Sequence, residues 1–238
     1  MSTYNRPIHR LAFLATLALV SAACSDSLSR MNAPSIIGTS AAASNFAVLA
    51  NGAVTCTDGN ITGNVGTFVG TPTGSVTQTT CPITGTVQVG DSAAKQAFSD
   101  FLTTYAALAP QAGDVCTMLT GTLAAMTLAP GAYCFNAAAT VTGLLTLDGP
   151  ADGIWVFRIG TSGTGALTGT SFAVAMAGGA QASNVTWRVA DAVTMTTSDL
   201  KGNILAGAGI TLTGGSLHGN VASKADVTIT GTAVIGSN

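Results

Sequence analysis

Six threonines set in pairs carry the most regular chemistry in the chain: Thr194 and Thr196, Thr211 and Thr213, Thr228 and Thr230 recur at a constant 17-residue step. Each pair sits in a segment of the form apolar-Thr-apolar-Thr. Period-two alternation puts Val193, Met195, Ile210, Leu212, Val227 and Ile229 on one side and the threonines on the other. A threonine presents a methyl group and a hydroxyl on one stiff side chain. If the segments stack as neighbouring strands, successive threonines lie about 6.7 Å apart along a strand and about 4.8 Å apart between strands. Such a grid can hold water in a lattice-like array, the methyl limiting hydration freedom and the hydroxyl anchoring it. The chemistry is adsorption, the sum of many weak contacts on a preorganised surface that loses little entropy on binding. Thr168 and Thr170 are candidate extensions of the ladder. Threonine also suits any exposed β surface, so the pattern by itself leaves a plain structural reading open.

Groups that could cleave or transfer a bond are sparse. All ten acidic residues are aspartates. Asp148 and Asp152 flank a Gly-Pro turn, and Asp191, Asp199 and Asp226 are isolated where corners are expected, so turn roles account for them. The only histidine beyond the leader, His218, has no nucleophile or base partner in sequence, and neither a P-loop, a Gly-x-Ser-x-Gly elbow nor a calcium-binding nonapeptide occurs. No catalytic residue, cofactor or metal site is expected, and the chain is read as non-enzymatic. Its net charge of −2 and its 5% aromatic content offer neither a basic patch nor a stacking platform, so nucleic acid is not an expected partner.

The element that must position the threonines is one turn of a β-solenoid. Leu200, Leu217 and Val234 keep the same step, as do the pairs Gly202/Gly219, Asn203/Asn220 and Gly214/Gly231. A repeat this short suits a coil of several short strands with tight corners rather than a pair of helices. Strand-like runs bounded by Gly or Pro-Gly extend back through Ile154 to Ile159 and Val141 to Leu147, and less regular coils occupy the region around Ala47, Ile61 and Val87. Next to the Thr face, Arg188, Lys201, Asn203, Leu205, His218, Asn220 and Ala222 are expected to point outward on one mixed, solvated face. The exception to the β pattern lies at about residues 91–108, where Ala94, Ala97, Phe98, Phe101, Leu102, Tyr105 and Leu108 fall on one helical stripe. Asp91 is placed to cap this helix and Pro110 to stop it. Its stripe must lie along one side of the β-stack, the only apolar surface large enough to receive it.

Composition is apolar-leaning with 8% charged residues, the reverse of a disordered chain, and the length allows one domain of about 200 residues after processing. Arg6, His9 and Arg10 followed by apolar residues 11–20 read as an export leader too short to cross a bilayer. Ser21-Ala22-Ala23-Cys24 followed by Ser25-Asp26-Ser27 resembles a bacterial lipobox, with Ser21 where Leu is usual, so the expectation is a leader over 1–23, acylation of Cys24, a polar tether over 24–35 and a folded domain over 36–238. The remaining Cys56, Cys81, Cys116 and Cys134 form an even set in an exported chain, which reads as two disulfides. Three connectivities are open; neighbours along the chain, Cys56 with Cys81 and Cys116 with Cys134, fit best, each closing a loop of about 20 residues worth about 3 kcal/mol in the chain-entropy model.

Several blocks in order resemble the ice-binding-like family known as DUF3494: residues 45–50 (Asn-Phe-Ala-Val-Leu-Ala), the 91–105 helix, 128–135 (Leu-Ala-Pro-Gly-Ala-Tyr-Cys-Phe), 145–149, 154–160 and 184–189 (Asn-Val-Thr-Trp-Arg-Val). The resemblance implies an all-β solenoid, a right-handed, discontinuous β-helix of triangular cross-section with one long α-helix alongside, and adsorption to ice through a flat β face. The expected partner is then the ice crystal surface, with membrane anchoring through lipidated Cys24, and a monomeric state. The protein is expected at the outer membrane or cell surface when acylated and secreted otherwise. The competing reading is a cell-surface structural or adhesion module of the same fold without ice activity.

Overall fold

The computed structural model describes Ala43 and residues 45–236. The expected leader, Cys24 and the tether lie outside the described residues, as do the first residues of the expected domain.

One turn of the fold can be followed from Asn203. Strand Asn203–Ala206 leads through a corner into Ile210–His218, a nine-residue strand that bends at Gly214 and Gly215, where φ is +67° and +79°. The next turn has the same three runs, Val221–Ser223, Val227–Thr230 and Ala233–Ile235, the bend now a full break. All three pair in parallel with the turn before: Ile204 with Val221, Ile210 with Val227, Ser216 with Ala233. The 17-residue step is therefore one coil of a β-helical stack. Before these two comes Val185–Val189 with Val193–Lys201 at the same 17-residue step, and wider coils precede it, Trp155–Ile159 with Leu167–Ala177 and Gly131–Phe135 with Ala139–Asp148. The short strands Thr117–Met118, Thr122–Leu123 and Met126–Leu128 close that end.

The stack is not continuous in sequence. Strands Phe46–Ala50, Ala53–Thr57 and Asn60–Thr62 form a coil that pairs with the last one, Val48 with Val221, Val54 with Val227 and Asn60 with Ala233. The Ala53 amide donates to Asp226 Oδ1 at 2.8 Å, joining residues 173 positions apart. A further coil, Asn64–Thr67 and Ser75–Thr79, follows, and Val87–Val89, paired on Asn64–Thr67, ends the stack on that side.

Inward side chains fill the interior. Tyr133, Phe157 and Trp187, aligned by register, stack with ring centroids 5.4 and 3.9 Å apart, and Leu145, Val174, Leu200, Leu217 and Val234 are buried opposite them. Full burial of one such side chain stabilises by roughly 1.5–3 kcal/mol.

The long α-helix, Ser92–Ala107, matches the expected span within a residue at each end. Asp91 Oδ1 accepts from the Ala94 amide at 2.8 Å, the expected N-cap. The helix lays Ala94, Ala97, Phe98, Phe101 and Tyr105 on Phe46, Leu49, Val156, Leu205 and Ala222. Leu102, expected on this stripe, is instead 38% exposed. Thr104 is buried in its place, its hydroxyl satisfied by the Asp100 carbonyl at 3.0 Å, so the buried arc is turned away from Leu102.

The mixed, solvated face expected beside the threonines does not exist as one surface. Arg188, Asn203, Leu205 and Ala222 belong to the sheet that the helix covers and are at most 9% exposed. Lys201 and His218 lie on the third run of strands, paired with each other. The reason is the corner at Gly202 and Gly219, with φ of +113° and +151°. It separates residues 201 and 203, so alternation cannot be carried across it.

Cys56 is bonded to Cys81 and Cys116 to Cys134. Each bond ties an outermost coil to the one beneath it, so both open ends of the stack are stapled.

Candidate functional site

Parallel register lines the threonines up in two files. The first runs Thr122, Thr140, Thr168, Thr194, Thr211, Thr228, Thr55 and Thr77, each paired with the next. The second runs Thr142, Thr170, Thr196, Thr213, Thr230, Thr57 and Thr79 without interruption. Strand spacing makes the longer file about 34 Å long, with the second about 6.7 Å to its side. All the threonines are exposed or half-buried. Between them Val141, Met195, Leu212, Ile229 and Cys56 point into the core. The Thr140 and Thr168 hydroxyls lie 3.3 Å apart and bond each other; among the described residues they are the only members of the grid that do so.

A shared corner follows the grid. The residue after the second threonine has positive φ in every coil: Gly143, Gly214 and Gly231 at +60° to +67°, and Ser171, Thr197, Asp58 and Thr80 at +48° to +52°. In the outermost coil Ala125 takes the same place at +50°. These five non-glycine residues are all the non-glycines of positive φ among the described residues. Left-handed backbone costs an L-residue roughly 1–2 kcal/mol, so the turn is imposed by the stacking of the coils and not chosen locally. One inward position is empty by design: a Cβ on Gly169 would meet the Phe172 ring, which folds beneath the threonines there.

The structure places Thr194, Thr196, Thr211, Thr213, Thr228 and Thr230 together on this face, with Thr168 and Thr170 in register beside them. The reading from sequence missed Thr122, Thr140, Thr142, Thr55, Thr57, Thr77 and Thr79. A signal was present: Val54-Thr55-Cys56-Thr57, Val76-Thr77-Gln78-Thr79, Ala139-Thr140-Val141-Thr142 and Leu167-Thr168-Gly169-Thr170 share the apolar-Thr-x-Thr form. They fall outside the 17-residue phase because insertions lengthen the earlier coils and because the amino-terminal coils stack out of sequence order.

Charged groups gather on the other surfaces. On the third run, Asp199 Oδ1 accepts from Lys201 Nζ at 2.8 Å and from Ser216 Oγ at 2.7 Å. Burial alone would raise this carboxyl, but those two hydrogen bonds and the charges of Lys201 and His218 bring it below its ordinary value. Asp199 is thus a paired strand residue, not the isolated corner residue expected from sequence, and His218 sits within its field. Asp226 and Asp191 do serve corners, accepting from the Ala53 and Gly165 amides at 2.8 and 2.7 Å. On the helix-covered sheet, Arg158 pairs with Asp114 of the loop after the helix at 2.6 Å, while Arg188 and Lys224 lie 4.3 and 3.9 Å from the Tyr105 ring centroid.

The protein is thus a parallel β-helical stack with a covering helix on one sheet and a regular two-file threonine grid on another. The chain belongs to the ice-binding-like family, whose model matches residues 43–235. It is 35% identical over 196 residues to an ice-binding protein of Nostoc sp. (strain HG1), spanning 80% of this chain and 68% of that one. Its fold is similar to that of an ice-binding protein from the Antarctic ascomycete Antarctomyces psychrotrophicus, with a TM-score of 0.75, 33% identity, and 83% of this chain and 97% of that one covered. An ice-binding protein with antifreeze activity from an Arctic yeast is also similar, with a TM-score of 0.73, 28% identity, and 83% and 93% covered.

Proposed function

We infer that the protein binds ice, and that the two-file threonine face is the surface that does so. The observation that carries the assignment of the face is its unbroken register: eight coils in the first file and seven in the second present the same side chain at the same position. Adsorption through such a grid forces a growing crystal front to bulge between bound molecules, which inhibits growth and recrystallisation without any bond being made or broken. The same reading includes a monomer exported from the cell and held at its surface through acylated Cys24, supported by the basic-then-apolar residues 6–23 and the small residues before the cysteine.

The test is ice recrystallisation with the purified domain. Wild type should arrest grain growth at micromolar protein, and Thr211→Tyr, which plants a bulky ring at the middle of the longer file, should abolish the arrest. Thr211 is exposed, so the thermal midpoint of the variant should stay close to wild type, as surface substitutions usually change stability by less than about 0.5 kcal/mol. Normal coarsening with folded wild type would overturn the reading and favour a stalk or adhesion module.

A further inference from the structure

The two ends of the threonine grid are anchored differently. At one end Leu123 is buried beneath Thr122. At the other, strand Ser75–Thr79 pairs only with Ala53–Thr57 and has no strand on its far side. Its inward positions are poorly filled: Val76 is half-buried, and Gln78 is exposed where the other coils bury Ile229, Leu212 or Met195. Gln78 stands opposite Cys56 in the register. Cys56, fully buried between Thr55 and Thr57, reaches past it to Cys81, which follows the corner residue Thr80 and is 5% exposed. The covalent bond thus occupies the place that apolar packing fills in the interior coils. An edge strand without buried anchors opens locally at low free-energy cost.

We propose that the Cys56–Cys81 disulfide is a positioning element of the ice surface, holding Thr77 and Thr79 in register with Thr55 and Thr57 so that the outermost coil counts as part of the grid. The proposal rests on the reading of this face as the ice-binding surface. The other disulfide, Cys116–Cys134, joins the loop after the helix to the helix-covered sheet and carries no such role.

The experiment compares three variants of the purified domain with wild type in ice recrystallisation, in parallel with hydrogen exchange and thermal unfolding. Cys56→Val with Cys81→Ala keeps the buried volume near Cys56 without the bond. Thr77→Ala with Thr79→Ala keeps the bond without the hydroxyls. Cys116→Ala with Cys134→Ala is the control. The first two should each raise the protein concentration needed for arrest by about threefold, a small change on the affinity scale. Faster amide exchange over residues 75–89 should appear only in the first, and the control should keep wild-type ice activity even though its thermal midpoint falls. Wild-type ice activity in the variant lacking Cys56–Cys81 would overturn the proposal, as would full activity of Thr77→Ala with Thr79→Ala. Inactive wild type would instead overturn the assignment of ice binding itself.

Discussion

At the residue scale, the grid shows which single positions set its extent. In the coil Thr122, Leu123, Ala124, Ala125, the inward Leu123 pairs with Val141 and Ala125 takes the left-handed corner. Ala124 therefore occupies the position that Thr142 fills in the next coil, and the second file is one threonine shorter than the first. Ala124→Thr should complete it. Ala124 is exposed, so folding should be unaffected, and the concentration that arrests recrystallisation should fall by about twofold; an unchanged concentration would show that the end of the grid does not reach the crystal. The residues legible from sequence were those in coils of constant length, where Thr194, Thr211 and Thr228 repeat in phase. Thr140 and Thr55 were not, because periodicity reveals register only between coils that share a length and follow one another in the chain. Asp199 was misplaced at a corner for a related reason: its partners Lys201 and Ser216 are two residues and one coil away respectively, contacts that alternation alone does not show.

At the element scale, the helix was the easiest to read, since its stripe, its cap and its terminating proline agree. Its seat was not readable, and so the sheet bearing Arg188 and Leu205 was taken for open surface. Docking is fixed near the C-terminal end by Tyr105, whose hydroxyl donates to the Val189 carbonyl at 3.0 Å while Arg188 and Lys224 lie against its ring. Such cation–ring contacts contribute about 0.5–2 kcal/mol depending on desolvation. Burial raises the Tyr105 hydroxyl above its ordinary value of 10.0; the Arg188 charge opposes this and Asp191 reinforces it. A raised value in the folded state means that the neutral form is the one the fold favours. The stabilisation is complete below pH 10.0 and is lost as pH climbs through the folded-state value. Denaturation midpoints should therefore hold steady from neutral pH to about 9 and then fall. Tyr105→Phe should start lower, having lost the hydrogen bond, and fall less steeply; Tyr133, which burial also raises, accounts for a residual slope. An equally steep alkaline fall in the variant would remove Tyr105 as its cause.

At the scale of the whole molecule, neither the solenoid's coil nor its helix reveals which coils are neighbours. The chain's first coil and its last lie side by side, and nothing local to Val54 or Val227 announces it. The grid is complete only when segments 173 residues apart have met, a distant contact whose closure entropy must be met before the contact rewards it.

The helix also acts as a measuring rod. Sixteen residues make about 24 Å, and it reaches from Val87–Val89, beside which it starts, across the coils of Leu49, Ala222 and Leu205 to Val189, five strand steps of about 4.8 Å each. The number of coils in that interval is thereby gauged: one more would add about 4.8 Å that the rod cannot cover. Duplicating residues 210–226 should add a threonine pair and yet lower the thermal midpoint by about 5–10 °C, with Tyr105 pulled from its seat; an undiminished midpoint would show that the rod sets no limit. Growth of the threonine grid by whole coils is thus open only beyond the rod's reach, on the side of Tyr133, which is where this chain already carries its longer and less regular turns.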